Sequence, residues 1–176
     1  IEAALRQPTP ERIFQIKRAL QQGMDVATVA RLTGIDPWFL GQLAELVEAE
    51  QRWTVNRRIN WATYPRAGQA LQLRAMKRLG FSDVQLARLS ELTEDQVRQE
   101  RWDLGVRPAY KTVDTCAGEF PSATPYLYSC YDDEDESEPF GQQGIVILGS
   151  GPNRIGQGVE FDYCCVRAGL AFREMG

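Results

Sequence analysis

Two stretches of the chain repeat one pattern of residues at an offset of 57 positions. Residues 16–40 align with residues 73–97, with Gly23 on Gly80 and Ala30-Arg31-Leu32 on Ala87-Arg88-Leu89. Each copy predicts a helix, a glycine, a short capped helix, a turn and a further helix. A helical hairpin buries its apolar face only against a neighbour. We therefore expect two similar helical units packed on each other.

Capping residues predict where the helices of residues 1–105 begin. Side chains that accept from exposed N–H groups, several followed by proline or glutamine, mark helix starts. They are Thr9 and Asp36, each directly followed by a proline, Asp25 and Ser82, and Thr93, which has Gln96 three residues later. Glycines predict the ends, at Gly23, Gly34, Gly80 and Gly105.

Trp38, Phe39 and Leu40 are consecutive on one predicted helix. Three consecutive helical residues span about 200°, so they cannot all face one core. We expect one of them to reach a partner surface. The alternative is contact with the remainder of a longer chain.

Residues 105–136 predict an extended connector. Pro108, Pro121 and Pro125 interrupt helices, and five aromatic side chains supply area that favours packing against a neighbouring body. The run Asp132–Glu138 carries six acids in seven positions, which is typical of a solvated loop. We place a helical and connector domain at 1–136 and a second domain at 137–176.

Residues 144–176 predict one strand, one glycine-rich loop and one helix. Ile145–Leu148 suits a strand buried on both faces, and Phe161, Cys165, Ala168 and Phe172 form a helical stripe. A parallel strand needs neighbours, so we expect an α/β domain that continues beyond this chain. A dinucleotide-binding loop needs a third glycine where Arg154 stands, which argues against a nicotinamide enzyme.

Composition excludes several function classes. The chain has no histidine, so histidine-dependent catalysis and histidine-ligated metal sites are excluded within it. Its four cysteines form no Cys-x-x-Cys pair, which indicates free thiols in a reducing, cytoplasmic compartment. A net charge of −4 argues against nucleic-acid or membrane binding. The segment Val29–Leu40 superficially suits a helix-turn-helix, but the helix after Pro37 is apolar and acidic.

Two segments resemble a known family. The run GSGPNRIGQGVEFDYCC, from Gly149, resembles the opening of the second synthetase half of the carbamoyl-phosphate synthetase large chain. The run VRPAYKTVDTCAGEFPSATPYLYSCY, from Val106 to Tyr131, resembles the connector before it. Arg167 departs from the family, where histidine is expected.

The resemblance implies a mainly α fold: a helical oligomerisation domain, an extended connector and the first strand and helix of an incomplete pre-ATP-grasp domain. It implies an ATP-dependent ligase that makes carbamoyl phosphate from bicarbonate, glutamine-derived ammonia and two ATP, for pyrimidine and arginine synthesis. We expect this chain to be the structural part, without catalytic residues, metal site or cofactor of its own. The whole enzyme is expected to use ATP with magnesium or manganese, and potassium.

The expected partners are the remaining synthetase domains and a glutaminase small subunit, with self-association a further candidate. The resemblance places the glycine-rich loop beside the passage of carbamate, and implies Asn153, Arg154, Gly158 and Glu160 as its lining. Alternatively, Arg154 and Glu160 pair with each other or with residues elsewhere. The alternative for the whole chain is a free-standing helical module that acts through protein contacts. An orphan buried strand argues against that alternative.

Overall fold

The structure is a computed structural model, and it describes residues 1–123, 126–138, 144–149 and 160–175, with backbone alone at 160–162. The chain divides into two compact units, Ile1–Ser137 and Glu138–Gly176. The mainly helical fold class predicted from the sequence is confirmed.

The larger unit is helical and ends in a β-hairpin. Its helices are α1 (Glu2–Arg6), α2 (Arg12–Gln21), α3 (Val26–Thr33), α4 (Pro37–Ile59), α5 (Arg66–Arg78), α6 (Asp83–Ser90) and α7 (Glu94–Asp103), with a 3₁₀ turn at Trp61–Thr63. The strands are β1 (Ala109–Thr112) and β2 (Leu127–Cys130). The smaller unit contains helix α8 (Glu160–Glu174).

The sequence repeat is a structural repeat. Helix α6 begins and ends 57 positions after α3, and α7 begins 57 positions after α4. Gly23 and Gly80 both end their helices with positive φ, +87° and +90°. The next residue donates to a carbonyl in the previous turn in both copies, Met24 to Ala19 and Phe81 to Met76. We call α1 to the first half of α4 the first helical unit, and the second half of α4 to α7 the second helical unit.

Four of the predicted caps form. The carboxylate of Asp25 accepts from the N–H of Thr28 at 2.7 Å, and that of Asp36 accepts from Trp38 at 2.8 Å. Ser82 and Thr93 each make a capping box with the glutamine three residues on. Each cap satisfies N–H groups that the first helical turn leaves without a partner.

The cap predicted at Thr9 is wrong. Helix α2 begins at Arg12, with Glu11 at its N-cap position and no side-chain cap. The N–H of Arg12 instead donates to the backbone carbonyl of Thr9 at 3.0 Å, so residues 9–12 form a turn. That turn follows the short helix α1, which the sequence did not predict and which buries Leu5.

Each helical unit has its own core. The buried residues of the first are Leu5, Ile16, Ala19, Val29, Leu32 and Leu40. Those of the second are Ala49, Trp53, Leu73, Met76, Phe81, Leu86, Ala87 and Val97. Helix α4 contributes to both cores, so it joins the two units through one continuous backbone.

The connector is a hairpin, not merely an extended segment. Strands β1 and β2 pair antiparallel, with Ala109 opposite Cys130 and Thr112 opposite Leu127. The N–H of Glu136 donates to the carbonyl of Tyr110 at 2.8 Å, so the chain returns along β1. The prolines and aromatics predicted extension, but not this pairing.

The strand predicted at Ile145–Leu148 is absent from residues 144–149 as the structure describes them. Leu148 is 93% exposed there. The physical reason is that such a strand requires neighbouring strands on both sides. The predicted helix does form, as α8. A Cβ atom at Gly149 would lie 2.9 Å from the Sγ atom of Cys165, so a larger residue there would require the Cys165 side chain to shift.

Candidate functional site

Three charged side chains are buried together in the second helical unit. Asp83 is the first residue of α6, Lys77 lies in the last turn of α5, and Arg101 lies near the end of α7. The Nη2 atom of Arg101 lies 2.9 Å from Oδ2 of Asp83, and Nζ of Lys77 lies 3.0 Å from Oδ1. The side chains of all three are 10% exposed or less. We call this set the triad.

The triad carries two positive charges and one negative charge. Burial acts to raise the pKa of Asp83, but the hydrogen bonds and charges of Arg101 and Lys77 outweigh it and hold that pKa below its ordinary value. The remaining donors bond to backbone. Lys77 donates to the carbonyl of Phe81 at 2.7 Å, and Nη1 of Arg101 donates to the carbonyl of Val106 at 3.1 Å. Among the described residues, no buried side-chain nitrogen or oxygen atom of the triad is left without a hydrogen-bond partner.

Both ends of the connector meet the triad. At the start, Val106 is fully buried and accepts from Arg101, as described above. At the end, the ring of Tyr131 lies over the cations. Its centroid is 5.2 Å from Nζ of Lys77 and 5.8 Å from Cζ of Arg101. An aromatic face attracts cations at this distance, most strongly where water is excluded. Burial raises the pKa of the Tyr131 hydroxyl above its ordinary value.

The residues after Tyr131 lie along α5. Nε of Arg78 donates to the carbonyl of Tyr131 at 3.0 Å. Asp133 forms ion pairs with Arg78 at 3.1 Å and with Arg74 at 3.4 Å. The Asp133 side chain is 79% exposed, so water and salt screen these pairs and each contributes little. The half-buried ring is thus the stronger contact.

Ionic contacts also stabilise the hairpin internally. Nζ of Lys111 lies 3.0 Å from Oε1 of Glu136, and the N–H of Thr112 donates to Oε2 at 2.8 Å. The hydrogen bond to Glu136 raises the pKa of Lys111. The bond from the Thr112 N–H, followed by that from Lys111, lowers the pKa of Glu136. Nζ of Lys111 also lies 3.7 Å from Oε2 of Glu134, so the acidic run predicted as a solvated loop contributes two carboxylates to β1.

A second polar cluster lies at the far end of α4. Nη1 of Arg57 lies 2.9 Å from Oε1 of Glu100, which also accepts from Nε1 of Trp61. The guanidinium of Arg57 lies 4.3 Å from the Trp61 ring centroid and 5.5 Å from that of Trp53. These contacts stay within the second helical unit and join α4 to α7. They account for two of the four tryptophans as structural anchors.

The surface at the start of α4 is aromatic. Leu40 is fully buried, whereas Trp38 is 65% exposed and Phe39 is 58% exposed. The two rings contact each other edge to face, with centroids 4.9 Å apart. The expectation that consecutive residues 38–40 cannot all face the core is confirmed. A large exposed aromatic pair is typical of an interaction surface.

The predicted loop residues lie mostly outside the described residues. Asn153, Arg154 and Gly158 are among those the structure does not describe, and Glu160 begins α8 without a described side chain. Their role stays a prediction.

The triad is not predicted by the capping and periodicity patterns of the sequence. A signal was present, since the offset of 57 aligns apolar Val26 with Asp83. Within the described parts of the chain, acidic and cysteine side chains form no group of three able to hold a metal ion. None of the described helices is both long and apolar enough to cross a membrane.

Two family models match the chain. Residues 1–105 match the carbamoyl-phosphate synthetase large chain oligomerisation domain, and residues 141–176 match the carbamoyl phosphate synthase preATP-grasp domain. The residues between the two matches are mainly the connector.

Curated relatives align with the whole chain. It is similar to proteins named carbamoyl phosphate synthase large chain, with 59% identity to that of Gemmatimonas aurantiaca, 48% to that of a Nostoc species and 49% to that of Xanthomonas campestris. All of this chain is covered in each case, against 15%, 15% and 16% of the respective relative. The chain thus spans less than a fifth of the length of these relatives.

Proposed function

The chain belongs to the carbamoyl-phosphate synthetase large-chain family, and we propose that it forms the connecting and assembly part of such an enzyme. Residues 1–136 supply the helical oligomerisation domain with its connector. Residues 137–176 begin the second, carbamoyl-phosphate-forming synthetase half. The observation that supports this most is the continuity of the match. Relatives align through the helices, the connector and α8 alike. A free-standing helical module would not need the residues after the connector.

The whole enzyme makes carbamoyl phosphate from bicarbonate, ammonia and two ATP, with ammonia released from glutamine by a small subunit. In this proposal the enzyme is cytoplasmic and serves pyrimidine and arginine synthesis, with ATP, magnesium or manganese, and potassium bound elsewhere in the large chain. The present chain contributes no catalytic residue. Asn153, Arg154, Gly158 and Glu160 line the passage that carbamate follows. The remaining synthetase domains and the small subunit are its partners.

The assembly role predicts self-association through exposed apolar surface. Trp38 and Phe39 are the strongest candidates, because paired aromatic side chains bury large areas at interfaces. Sedimentation of the purified chain over a wide concentration range, with circular dichroism at each point, tests this. We expect a helical species that associates reversibly. The double variant Trp38→Gln and Phe39→Gln is expected to weaken association while it stays helical.

A matched control is Leu71→Gln, which changes an equally exposed apolar residue of α5. It is expected to leave association unchanged if the aromatic pair forms the interface. A helical monomer at every concentration would instead assign the aromatic pair to contacts with other domains of the large chain. A separate assay for ATP hydrolysis in the presence of bicarbonate is expected to give no turnover. Turnover by this chain would contradict the non-catalytic role.

A further inference from the structure

The first helical unit has apolar residues where the second has the triad. The offset of 57 places Leu20, Val26 and Ala44 at the positions of Lys77, Asp83 and Arg101. The three apolar residues line one open groove of about 300 Å³ on the first unit, together with Gly23 and Met24. The equivalent groove of the second unit, bordered by Lys77, Gly80 and Phe81, is lined on its other side by Ser129–Asp132 of the connector.

The first unit therefore shows that this helical arrangement does not require the charges. It forms the same turn at Gly23 and the same capped helix α3 around apolar side chains. In general, buried ion pairs seldom stabilise a protein more than well-packed apolar residues of similar volume do. Stability of the helices alone therefore does not explain why Lys77 and Arg101 are buried in the second unit.

The contacts of the triad supply that explanation. Arg101 donates to Val106 at the start of the connector, and Lys77 and Arg101 both face the ring of Tyr131 at its end. Neither a leucine nor an alanine could bind the carbonyl of Val106 or attract an aromatic face electrostatically. The triad thus has the chemistry of a binding site, and the connector occupies it.

We propose that the Lys77–Asp83–Arg101 triad is a docking site for the segment Tyr131–Asp133, and that it latches both ends of the connector onto the helices without being needed to fold them. Its ligand class is an extended segment with an aromatic ring followed by carboxylates. Arg74 and Arg78 meet the carboxylate of Asp133. The equivalents of Lys77 and Arg78 in the first unit are Leu20 and Gln21, so its groove is not expected to bind such a segment.

The latch controls whether the hairpin forms. A two-stranded hairpin is marginal in water unless it packs against another body. Strands β1 and β2 make only four pairs, so their amide protection reports on docking. The inference is independent of the proposed enzyme function, since every residue in it lies in Ile1–Ser137 and its test uses this chain alone.

The first unit supplies the replacement residues for the test. The triple variant Lys77→Leu, Asp83→Val and Arg101→Ala gives the second unit the residues of the first. In the full chain, we expect amide exchange of Leu127–Cys130 to become faster by about tenfold or more, the scale of one lost cation–π contact and its hydrogen bonds. The core amides of α6 are expected to keep their protection. Loss of protection in α6 as well, or an unfolded variant, would show that the triad is a folding element and overturn the proposal.

A second variant tests the ligand side without touching the triad. Tyr131→Ala is expected to accelerate exchange in β2 by a similar factor and to leave α5 to α7 unchanged. The matched control is Tyr126→Ala, because Tyr126 belongs to the same connector and is 67% exposed. It is expected to change neither. Unaltered exchange in β2 in the Tyr131 variant would mean that the hairpin is held by other contacts, and the proposal would fail.

Discussion

Helices α2 and α3 of the first helical unit meet around Leu20 and Val26, whereas α5 and α6 of the second meet around Lys77 and Asp83. The backbones correspond residue for residue in this region, down to the positive φ of the glycine between the helices. Local features therefore maintain the repeat: a glycine, a cap and a buried apolar position in each helix. The side chains that line the groove between the helices differ between the two units, and in the second unit they contact the connector.

The variant with the largest expected effect replaces Asp83 by valine, the residue at the equivalent position of the first unit. Asp83→Val leaves Lys77 and Arg101 buried without their carboxylate. Removing one partner of a buried ion pair costs about 3–5 kcal/mol, because the remaining charge is uncompensated. Urea unfolding followed by circular dichroism measures the change in free energy of unfolding.

The apolar counterpart is the control for that variant. Val26→Ala in the first unit removes only half-buried methyl groups and is expected to cost about 1 kcal/mol. The triple variant, which adds Lys77→Leu and Arg101→Ala to Asp83→Val, tests whether the loss of stability comes from the uncompensated charges. The triple variant is expected to regain most of the free energy of unfolding that Asp83→Val loses, so the effects of the three substitutions are strongly non-additive. Equal costs for Asp83→Val and Val26→Ala would show that the two grooves are energetically alike.

A second difference lies at the end of the short helices. Gly34 ends α3 with φ of +72°, while the equivalent Glu91 ends α6 with φ of +57°. A non-glycine residue in this region costs about 1–2 kcal/mol, and space around Gly34 is open, so the backbone alone sets the cost. Gly34→Glu is expected to destabilise the chain by that amount, measured by thermal unfolding.

The reciprocal variant, Glu91→Gly, is expected to stabilise the chain by less than about 1 kcal/mol, since glycine also gains freedom in the unfolded state. It also removes the ion pair of Glu91 with Arg58 at 2.7 Å, which is exposed and contributes little. A loss of stability in Glu91→Gly as large as in Gly34→Glu would mean that this ion pair, not the backbone, decides the position.

Caps give a smaller effect. Ser82 accepts from the N–H of Gln85 at 3.2 Å, and the side chain of Gln85 accepts from the N–H of Ser82 at 2.9 Å. Ser82→Ala removes half of this box and is expected to cost about 1 kcal/mol. Ser82→Asp, which has the cap residue of the first unit, serves as the control and is expected to restore stability. Equal unfolding midpoints for the alanine and aspartate variants would contradict a capping role.

Most features with a local cause were predicted from the sequence, although the cap expected at Thr9 does not form. The caps at Asp25 and Ser82 and the glycine turns at 23 and 80 depend on neighbours within a few residues, and all form. Features whose cause lies far away in the sequence were not predicted. The pairing of β1 with β2 joins residues between about 15 and 21 positions apart, and no Asn-Gly, Asp-Gly or Gly-Gly pair lies between the strands to predict a tight hairpin. The strand expected at Ile145–Leu148 depends on other strands altogether.

The triad was missed for a related reason. An acid at the first position of a helix is ordinary, because it complements the helix dipole. Asp83 therefore suggested nothing beyond a helix start. Only comparison with Val26, at the same position of the other unit, marks it as unusual. The candidate loop residues Asn153 and Arg154 followed from family resemblance alone and stay a prediction.

The smallest expected effect is a difference between the two units in how their helix caps depend on pH. The N–H of Thr28 at 2.7 Å, then its hydroxyl at 3.1 Å, hold the pKa of Asp25 below its ordinary value. A depressed pKa means that the cap is fully effective above about pH 4, the unfolded pKa, and is lost as pH falls through the folded value. At the start of α6 the capping side chain is the hydroxyl of Ser82, which does not titrate in this range, so this cap itself does not depend on pH. We expect the amide resonance of Thr28 to titrate with Asp25 in this acidic range, while that of Gln85 follows Asp83 and global changes but not its own cap. Asp25→Ser should abolish the titration at Thr28.

Because Asp83 also loses its stabilising charge as pH falls, the difference between variant and native chain, and not the native curve alone, decides the result. An unchanged Thr28 titration in the serine variant would assign the effect to the triad.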